Sequence, residues 1–372
     1  MRSAVLRTAG LSRPYADSRP LEIETVPTPV PRAGEVRVRI TRAGLCHSDL
    51  SVINGSRVRP LPMAIGHEAA GVVDEVGPGV VSVVPGDHVV LVFVPSCGRC
   101  RACLAGRPAL CYPAAEANSS GDLLHGDSVL VDASGERVNH HLGVSAFSEY
   151  AVVAEESLVV IDKSVPFDIA AMFGCAALTG MGAVFNTADV QPGQSLVVFG
   201  LGAVGLSAVM AAAQIDGTTV IAIDPNLSKH EVALRAGASF VGVPDDAADL
   251  IAAHVGDGVD FAIEAVGHAR VIESCLAHLT RGGAVVSVGL PHPDQTITAQ
   301  ALQFAGEGKR LLGSYMGDAV PARDIPAFID LWRAGKLPME LLHTDTKPLE
   351  EVNESLDALA DGDVIRRLFE LR

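Results

Sequence analysis

No stretch of this 372-residue sequence stays apolar long enough to cross a bilayer. The longest nearly apolar run, residues 201–213, covers 13 positions and is broken by glycine, short of the ~18–20 that a spanning helix needs. Residues 1–14 carry Arg2, Arg7 and Arg13 and no continuous apolar segment, so nothing there has the form of an export signal. Basic charge is also in short supply. Twenty-eight Lys and Arg face 44 Asp and Glu, for a net charge of −16, which disfavours nucleic acid and anionic membranes as partners. Internal repeats and low-complexity linkers are missing too. With 48% hydrophobic and 19% charged residues, the composition excludes disorder. The expectation is a folded cytoplasmic chain of about two domains.

What is present changes character along the chain. Residues 35–40 alternate polar and apolar at period two, as a half-buried strand does. Valine-rich runs at 66–83 and 86–94 are broken by Gly77-Pro78-Gly79 and Pro85-Gly86, which mark turns in a small barrel or folded antiparallel sheet. From about residue 177 strands and helices take turns: strands at 195–199, 218–223, 259–263 and 284–288, helices at 203–215, 227–236 and 269–279. Strands apolar on both faces, separated by helices, predict a parallel sheet covered on both sides. The tail after about residue 320 reads as mostly helical.

The first chemical signal lies in the α/β half. Gly200-Leu201-Gly202-Ala203-Val204-Gly205 fits the dinucleotide pattern and stands where that pattern has meaning, after a strand and at the start of a helix. Gly200 allows the tight turn, Gly202 admits a pyrophosphate, and Gly205 lets the helix pack closely; the helix N-terminus offers N–H groups to the phosphates. Asp224 ends the next strand and is followed by Pro225 and Asn226 rather than arginine. An acid there accepts from ribose hydroxyls and repels a 2′-phosphate, which favours NAD over NADP.

Cysteine supplies the second signal. Of seven cysteines, Cys97, Cys100, Cys103 and Cys111 fall within fifteen residues. Four thiolates closing on one tetrahedral ion make a structural Zn²⁺ site without an open position. An iron–sulfur cluster or two disulfides are the alternatives. Cys46, His67 and Cys175 are scattered; taken singly, Cys175 reads as a small buried hydrophobe ahead of a ligand, and His67 reads equally as a satisfied core histidine. Asp49 and Glu68 stand beside them as carboxylates that make sense around a metal. Cys275 reads as core.

Gly-Leu-Cys-His-Ser-Asp (44–49), Gly-His-Glu-Ala-Ala-Gly (66–71), the four-cysteine lobe, Pro-Gly-Asp-His-Val (85–89), Gly-Cys (174–175) and the glycine turn occur in one order along the chain. That series resembles the zinc-dependent alcohol dehydrogenases of the medium-chain dehydrogenase/reductase family, essentially end to end. The resemblance implies an α/β protein: a GroES-like β-barrel catalytic domain at 1–176 and 320–372, and an NAD-binding Rossmann domain with a doubly wound parallel sheet at 177–319. It further implies that Cys46, His67 and Cys175 hold a catalytic zinc with one position left open. Ser48 would take the alcohol proton, Asp49 would orient His67, and Glu68 would stand near the metal. For NAD it implies His47 and Arg366 on the pyrophosphate, Lys229 near the adenosine ribose, and Thr179 with Val288, Gly289 and Leu290 along the nicotinamide. Lys229 and His47 read otherwise as solvated surface charge.

The implied reaction is reversible oxidation of primary alcohols, aromatic or allylic ones included, to aldehydes, in a homodimer. Phe93, Leu110, His141 and Leu142 occupy pocket positions. Ser51 stands where many relatives end the proton relay in histidine, which leaves water or His47 as the exit. Two rivals remain open. One is a thiol-dependent formaldehyde dehydrogenase of the same family, with Arg57 and Arg59 at the pocket mouth. The other is a non-catalytic nucleotide-binding relative.

Overall fold

The computed structural model describes residues 1–371. The chain divides into two compact units, one of Met1–Cys175, Val320–Ile325 and residues 343–371, the other of Ala176–Ala319 and Pro326–Leu342. Among the described residues no helix is long and apolar enough to cross a membrane.

The first unit is built on two sheets. One has five strands in the order Leu21–Thr25, Arg2–Leu6, Met63–Ala64, Arg137–His140, Leu130–Val131. The other runs Leu158–Ile161, His88–Leu91, Ala69–Val76, Glu35–Gly44, Arg366–Glu370, His343–Pro348, with Tyr150–Ala154 also paired to Glu35–Gly44. The strand read at 35–40 runs on to Gly44, its alternation interrupted by a register shift after Ile40, and Val36, Val38 and Ile40 are fully buried. Close approach of Gly71 to the Arg39 carbonyl, where a Cβ would stand 2.2 Å away, fixes the neighbouring strand.

The tail differs from its helical reading. Helices Pro321–Arg333 and Val352–Asp361 form, yet His343–Pro348 and Arg366–Glu370 are strands that extend the sheet of Glu35–Gly44. His343–Pro348 is polar and charged up to its final proline and pairs with Arg366–Glu370, whose own other partner, Glu35–Gly44, lies some 320 positions upstream, so no local period announces either strand.

In the second unit all six strands are parallel. Their order is Phe240–Gly242, Thr219–Ile223, Ser195–Phe199, Val259–Glu264, Leu279–Ser287, Arg310–Gly313. Numbered along the chain that is 3-2-1-4-5-6, the doubly wound arrangement whose switch point lies between its first and fourth strands. Ser195–Phe199 is buried at every position, as a central strand covered on both faces must be. Several elements had no strong period and were not expected from sequence, among them the strands Phe240–Gly242 and Arg310–Gly313 and the helices Ala176–Gly182, Ala247–His254 and Ala301–Gly306. Trp332, the chain's one tryptophan, belongs to this unit and donates to Glu340 at 2.9 Å.

Candidate active site

The scattered donors meet in the first unit. Cys46, His67 and Cys175 bring their ligand atoms within 4.8 Å of one another, all three side chains buried. Each arrives by a different local device. Cys46 is the N-cap of the helix His47–Ile53, where Asp49 reaches back and accepts the Cys46 N–H at 3.0 Å. His67 follows Gly66, whose φ of +97° and approach to the Phe147 N–H leave no room for a side chain. Cys175 follows Gly174, where a Cβ would stand 2.5 Å from the Leu91 carbonyl.

Asp49 ties these ligands together. Its Oδ1 lies 2.8 Å from His67 Nδ1, which leaves Nε2 as the lone-pair nitrogen of that ring. Burial opposes charging His67, but the Asp49 carboxylate outweighs it and raises the imidazole pKa. Asp49 itself is held low against burial by His67 and His141. Contact with the Cys175 thiol, then the charges of Arg366 and His67, pull Cys46 well below the ordinary thiol range; the same contact and burial push Cys175 up. Cys46 is therefore the readily formed thiolate. Glu68, fully buried, has Oε1 3.4 Å from Arg366 Nε. Gly44 makes room for it, since a Cβ there would stand 2.5 Å from that oxygen. Two sulfurs and an imidazole at this separation suit Zn²⁺ with three protein ligands and an open position.

The four-cysteine lobe is the counterpart. Cys100 Sγ lies 3.5 Å from Cys103 Sγ and 4.0 Å from Cys111 Sγ, and all four sulfurs fall within 4.8 Å. A tetrahedron of ~2.3 Å Zn–S bonds has edges of about 3.8 Å, so the donor set fits one closed ion. Every cysteine is free, which sets aside the disulfide alternative. The Cys103 N–H lowers the Cys100 thiol to about 6, while burial raises Cys103 to about 12.

In the second unit the glycine turn has the three properties expected of it. Gly200 has φ +92°. A Cβ on Gly202 would meet nothing within 4 Å, so the backbone there is open to a ligand; on Gly205 it would stand 1.8 Å from the Gly200 carbonyl. Ala203 and Val204 begin the helix Ala203–Ala212, and the Gly180 backbone packs against the Val204 carbonyl, which seats neighbouring Thr179 on that helix. Asp224 does more than the sequence suggested: Oδ2 accepts the Leu201 N–H at 2.7 Å and Oδ1 the Asn226 N–H at 2.8 Å. Lys229 Nζ stands 3.7 Å from Oδ2.

Glu264 was not singled out from sequence. Its carbonyl accepts the N–H groups of Val288 and Gly289, and its Oε1 those of Val266 and Gly267. One buried acid thus holds the turns that follow the fourth and fifth strands, and burial raises its pKa. An acid ending an apolar strand, as Asp224 does, was the available signal. Leu290, next to Gly289, is exposed.

The remaining candidates lie in the first unit. His47 is exposed and Ser48 half-buried on the Cys46 helix, and the Ser51 hydroxyl donates to the His47 carbonyl at 2.9 Å. Arg366 is buried, with one guanidinium nitrogen on the Leu45 carbonyl. Phe93 stands edge-on to the His67 ring at 5.5 Å. His141 and Leu142 are buried, and Leu110 is exposed on the lobe.

Comparison with known proteins agrees. The model of the alcohol dehydrogenase GroES-like domain matches residues 32–163, and that of the zinc-binding dehydrogenase matches 203–333. An S-(hydroxymethyl)glutathione dehydrogenase of Escherichia coli O1:K1 / APEC is 37% identical over 361 residues, 95% of this chain and 97% of that protein. Among solved structures, an alcohol dehydrogenase zinc-binding domain protein from Burkholderia ambifaria is 35% identical with a TM-score of 0.93, covering 100% of this chain and 98% of the other. Benzyl alcohol dehydrogenase from Acinetobacter calcoaceticus is 30% identical with a TM-score of 0.90, covering 100% and 99%. Similarity of this extent, spanning both units and both cysteine sets, places the chain among the zinc-dependent alcohol dehydrogenases of the medium-chain dehydrogenase/reductase family, as an oxidoreductase.

Proposed function

We propose that the chain is an NAD-dependent alcohol dehydrogenase acting on primary alcohols, aromatic or allylic ones among them, and that its sites are those read from the sequence. The observation that carries the proposal is the convergence of Cys46, His67 and Cys175, the ligand set by which alcohol dehydrogenases as a class hold catalytic zinc. Cys97, Cys100, Cys103 and Cys111 hold the structural ion. When bound, zinc polarises the alcohol oxygen and lowers its pKa, and NAD accepts the hydride.

The chain's own residues do the rest. Asp49 keeps His67 in the tautomer that offers Nε2, and two sulfurs balance the metal's charge. Ser48 accepts the alcohol proton, and with Ser51 hydrogen-bonded to the His47 carbonyl that proton leaves through His47 or water. Glu68 stays beside the metal ligands, paired with Arg366. Gly200–Gly205 cradle the pyrophosphate, and His47 and Arg366 keep the role the resemblance implies for them, as cations for the same ligand. Asp224 and Lys229 take the adenosine ribose, and Thr179, Val288, Gly289 and Leu290 border the nicotinamide. The exposed Leu311 on the edge strand Arg310–Gly313, with Leu302 and Phe304 exposed nearby in sequence, supports a homodimer joined along that edge.

A second reading has its own support: the 37% identical relative is an S-(hydroxymethyl)glutathione dehydrogenase, and Arg59 is close enough to His141 to lower its pKa. One experiment separates the readings. NAD reduction is followed across primary, secondary and aromatic alcohols, and with formaldehyde with and without glutathione, while zinc is measured on the same sample. Turnover of primary alcohols with two zincs per chain supports the first. Turnover confined to formaldehyde plus glutathione supports the second. No turnover of either kind despite full zinc would sink both and restore the non-catalytic relative.

A further inference from the structure

Asp49 has more than one imidazole to serve. Its Oδ1, 2.8 Å from His67 Nδ1, is also 3.2 Å from His141 Nδ1. Its Oδ2 accepts the Cys46 N–H. Asp49 is fully buried and both histidines are about 1% exposed, so water does not compete for these contacts. The His141 ring meets the His67 ring edge-on at 5.3 Å, on top of the edge-on contact from Phe93. His67 is therefore fixed by a carboxylate and two rings.

The backbone that delivers His141 is laced to the one that delivers His67. The Ser145 hydroxyl accepts the His141 N–H at 2.9 Å and donates to the Ala64 carbonyl at 2.8 Å. Ala146 N–H and Phe147 N–H bond to the carbonyls of Gly66 and Ile65. The turn takes an unusual path to do this: Leu142 at φ 51° and Ser145 at φ 54° are both left-handed without being glycine. Strained backbone of this kind persists where its surroundings over-determine it, and it gathers at working sites.

We infer that His141 is a positioning residue for the catalytic metal: its Nδ1, buried 3.2 Å from Asp49 Oδ1 and without another hydrogen-bond partner among the described residues, directs its proton at that carboxylate and thereby fixes the group that orients His67. The inference rests on the reading that Cys46, His67 and Cys175 hold zinc. A carboxylate shared between two imidazoles gives each less than its full charge. His67 is then held firmly in direction while its basicity is raised less than by a dedicated partner.

Two substitutions separate the donor from the ring. His141→Phe keeps an aromatic body and removes the donor. His141→Asn loses the ring but places an amide N–H where Nδ1 stands. Zinc release to a colorimetric chelator is timed for the wild type and both variants, with Cys46→Ala identifying the phase that belongs to the catalytic ion. The absorption of the cobalt-substituted proteins is recorded alongside, as are kcat and KM.

Release of the catalytic zinc should quicken by about tenfold to a hundredfold in His141→Phe, with an altered cobalt spectrum, a fall in kcat and an unchanged KM for NAD. The lobe zinc should be released at the wild-type rate, and His141→Asn should recover most of the loss. Equal release from the wild type and both variants would overturn the inference, as would equal loss in both variants, which would mean ring packing alone. A wild type that holds only the lobe zinc would overturn the site reading itself, and this inference with it.

Discussion

The two cysteine clusters of the first unit solve the problem of gathering metal donors in opposite ways. Cys97, Cys100, Cys103 and Cys111 are neighbours in sequence, with Leu104 and Tyr112 beside them 75% and 62% exposed; the lobe has little core, and the ion takes the place of one. Cys46, His67 and Cys175 are 129 positions apart from first to last and are buried by the sheets around them, so the fold brings the donors together before any ion does. The first site is held up by its metal and the second holds its metal up. A closed site needs only four donors, whereas an open one needs walls that keep the remaining position from collapsing.

Cys46→Ala breaks the comparison from the buried side. Turnover should fall to background and zinc content to one per chain, while the melting temperature changes little; a large fall in stability would show that the fold leans on this ion too. Asp49→Asn is the next largest, with about 10- to 100-fold lost in catalytic zinc affinity or in kcat/KM, read by chelator competition and initial rates. Cys103→Ser attacks the exposed side. The melting temperature should drop by roughly 5 °C or more, with the catalytic zinc retained, as calorimetry and metal analysis would show.

A smaller contrast lies in the glycine turn of the second unit. Gly205→Ala forces a Cβ into the Gly200 carbonyl and should destabilise by about 2 kcal/mol or more. Gly202→Ala meets open space and should keep wild-type stability while weakening NAD binding. Equilibrium unfolding and coenzyme titration distinguish the two.

Another test uses acid. Burial lowers His140 to about 3, and neither ring nitrogen has a hydrogen-bond partner among the described residues. Below pH ~6.5 the unfolded chain takes up a proton that the folded one refuses, so this histidine's contribution is intact above that pH. It is then lost at about 1.4 kcal/mol per unit until pH ~3. His140→Phe should flatten that limb of the stability–pH curve.

The same contrast decides what could be read in advance. The lobe was legible from spacing alone, because its ligands lie within one short loop. The three scattered ligands carried no local pattern, and only the resemblance joined them. The parallel sheet was legible at its buried central strands and not at its edges: Phe240–Gly242 and Arg310–Gly313 are short and partly exposed, so burial leaves little mark on their composition. Arg366–Glu370 is a strand because Glu35–Gly44 offers it an edge, and His343–Pro348 because Arg366–Glu370 then offers it the next, which is a fact about position and not about their own residues. Asp224 was expected at a ribose; its grip on the Leu201 N–H depends on where the turn ends in space. For the same reason the approach of His141 to Asp49 could not be inferred from residues 92 positions apart.

One indole has a practical consequence. Trp332 lies in the nucleotide-binding unit with its N–H on Glu340, so the indole emission of the whole chain originates there. In a denaturant titration its colour follows that unit alone, while the rate at which the lobe thiols accept a reagent follows the other. Coincident midpoints would mean one cooperative block, and separated ones two. The natural sequence therefore carries an optical label on one half and a chemical label on the other, and engineers need add neither.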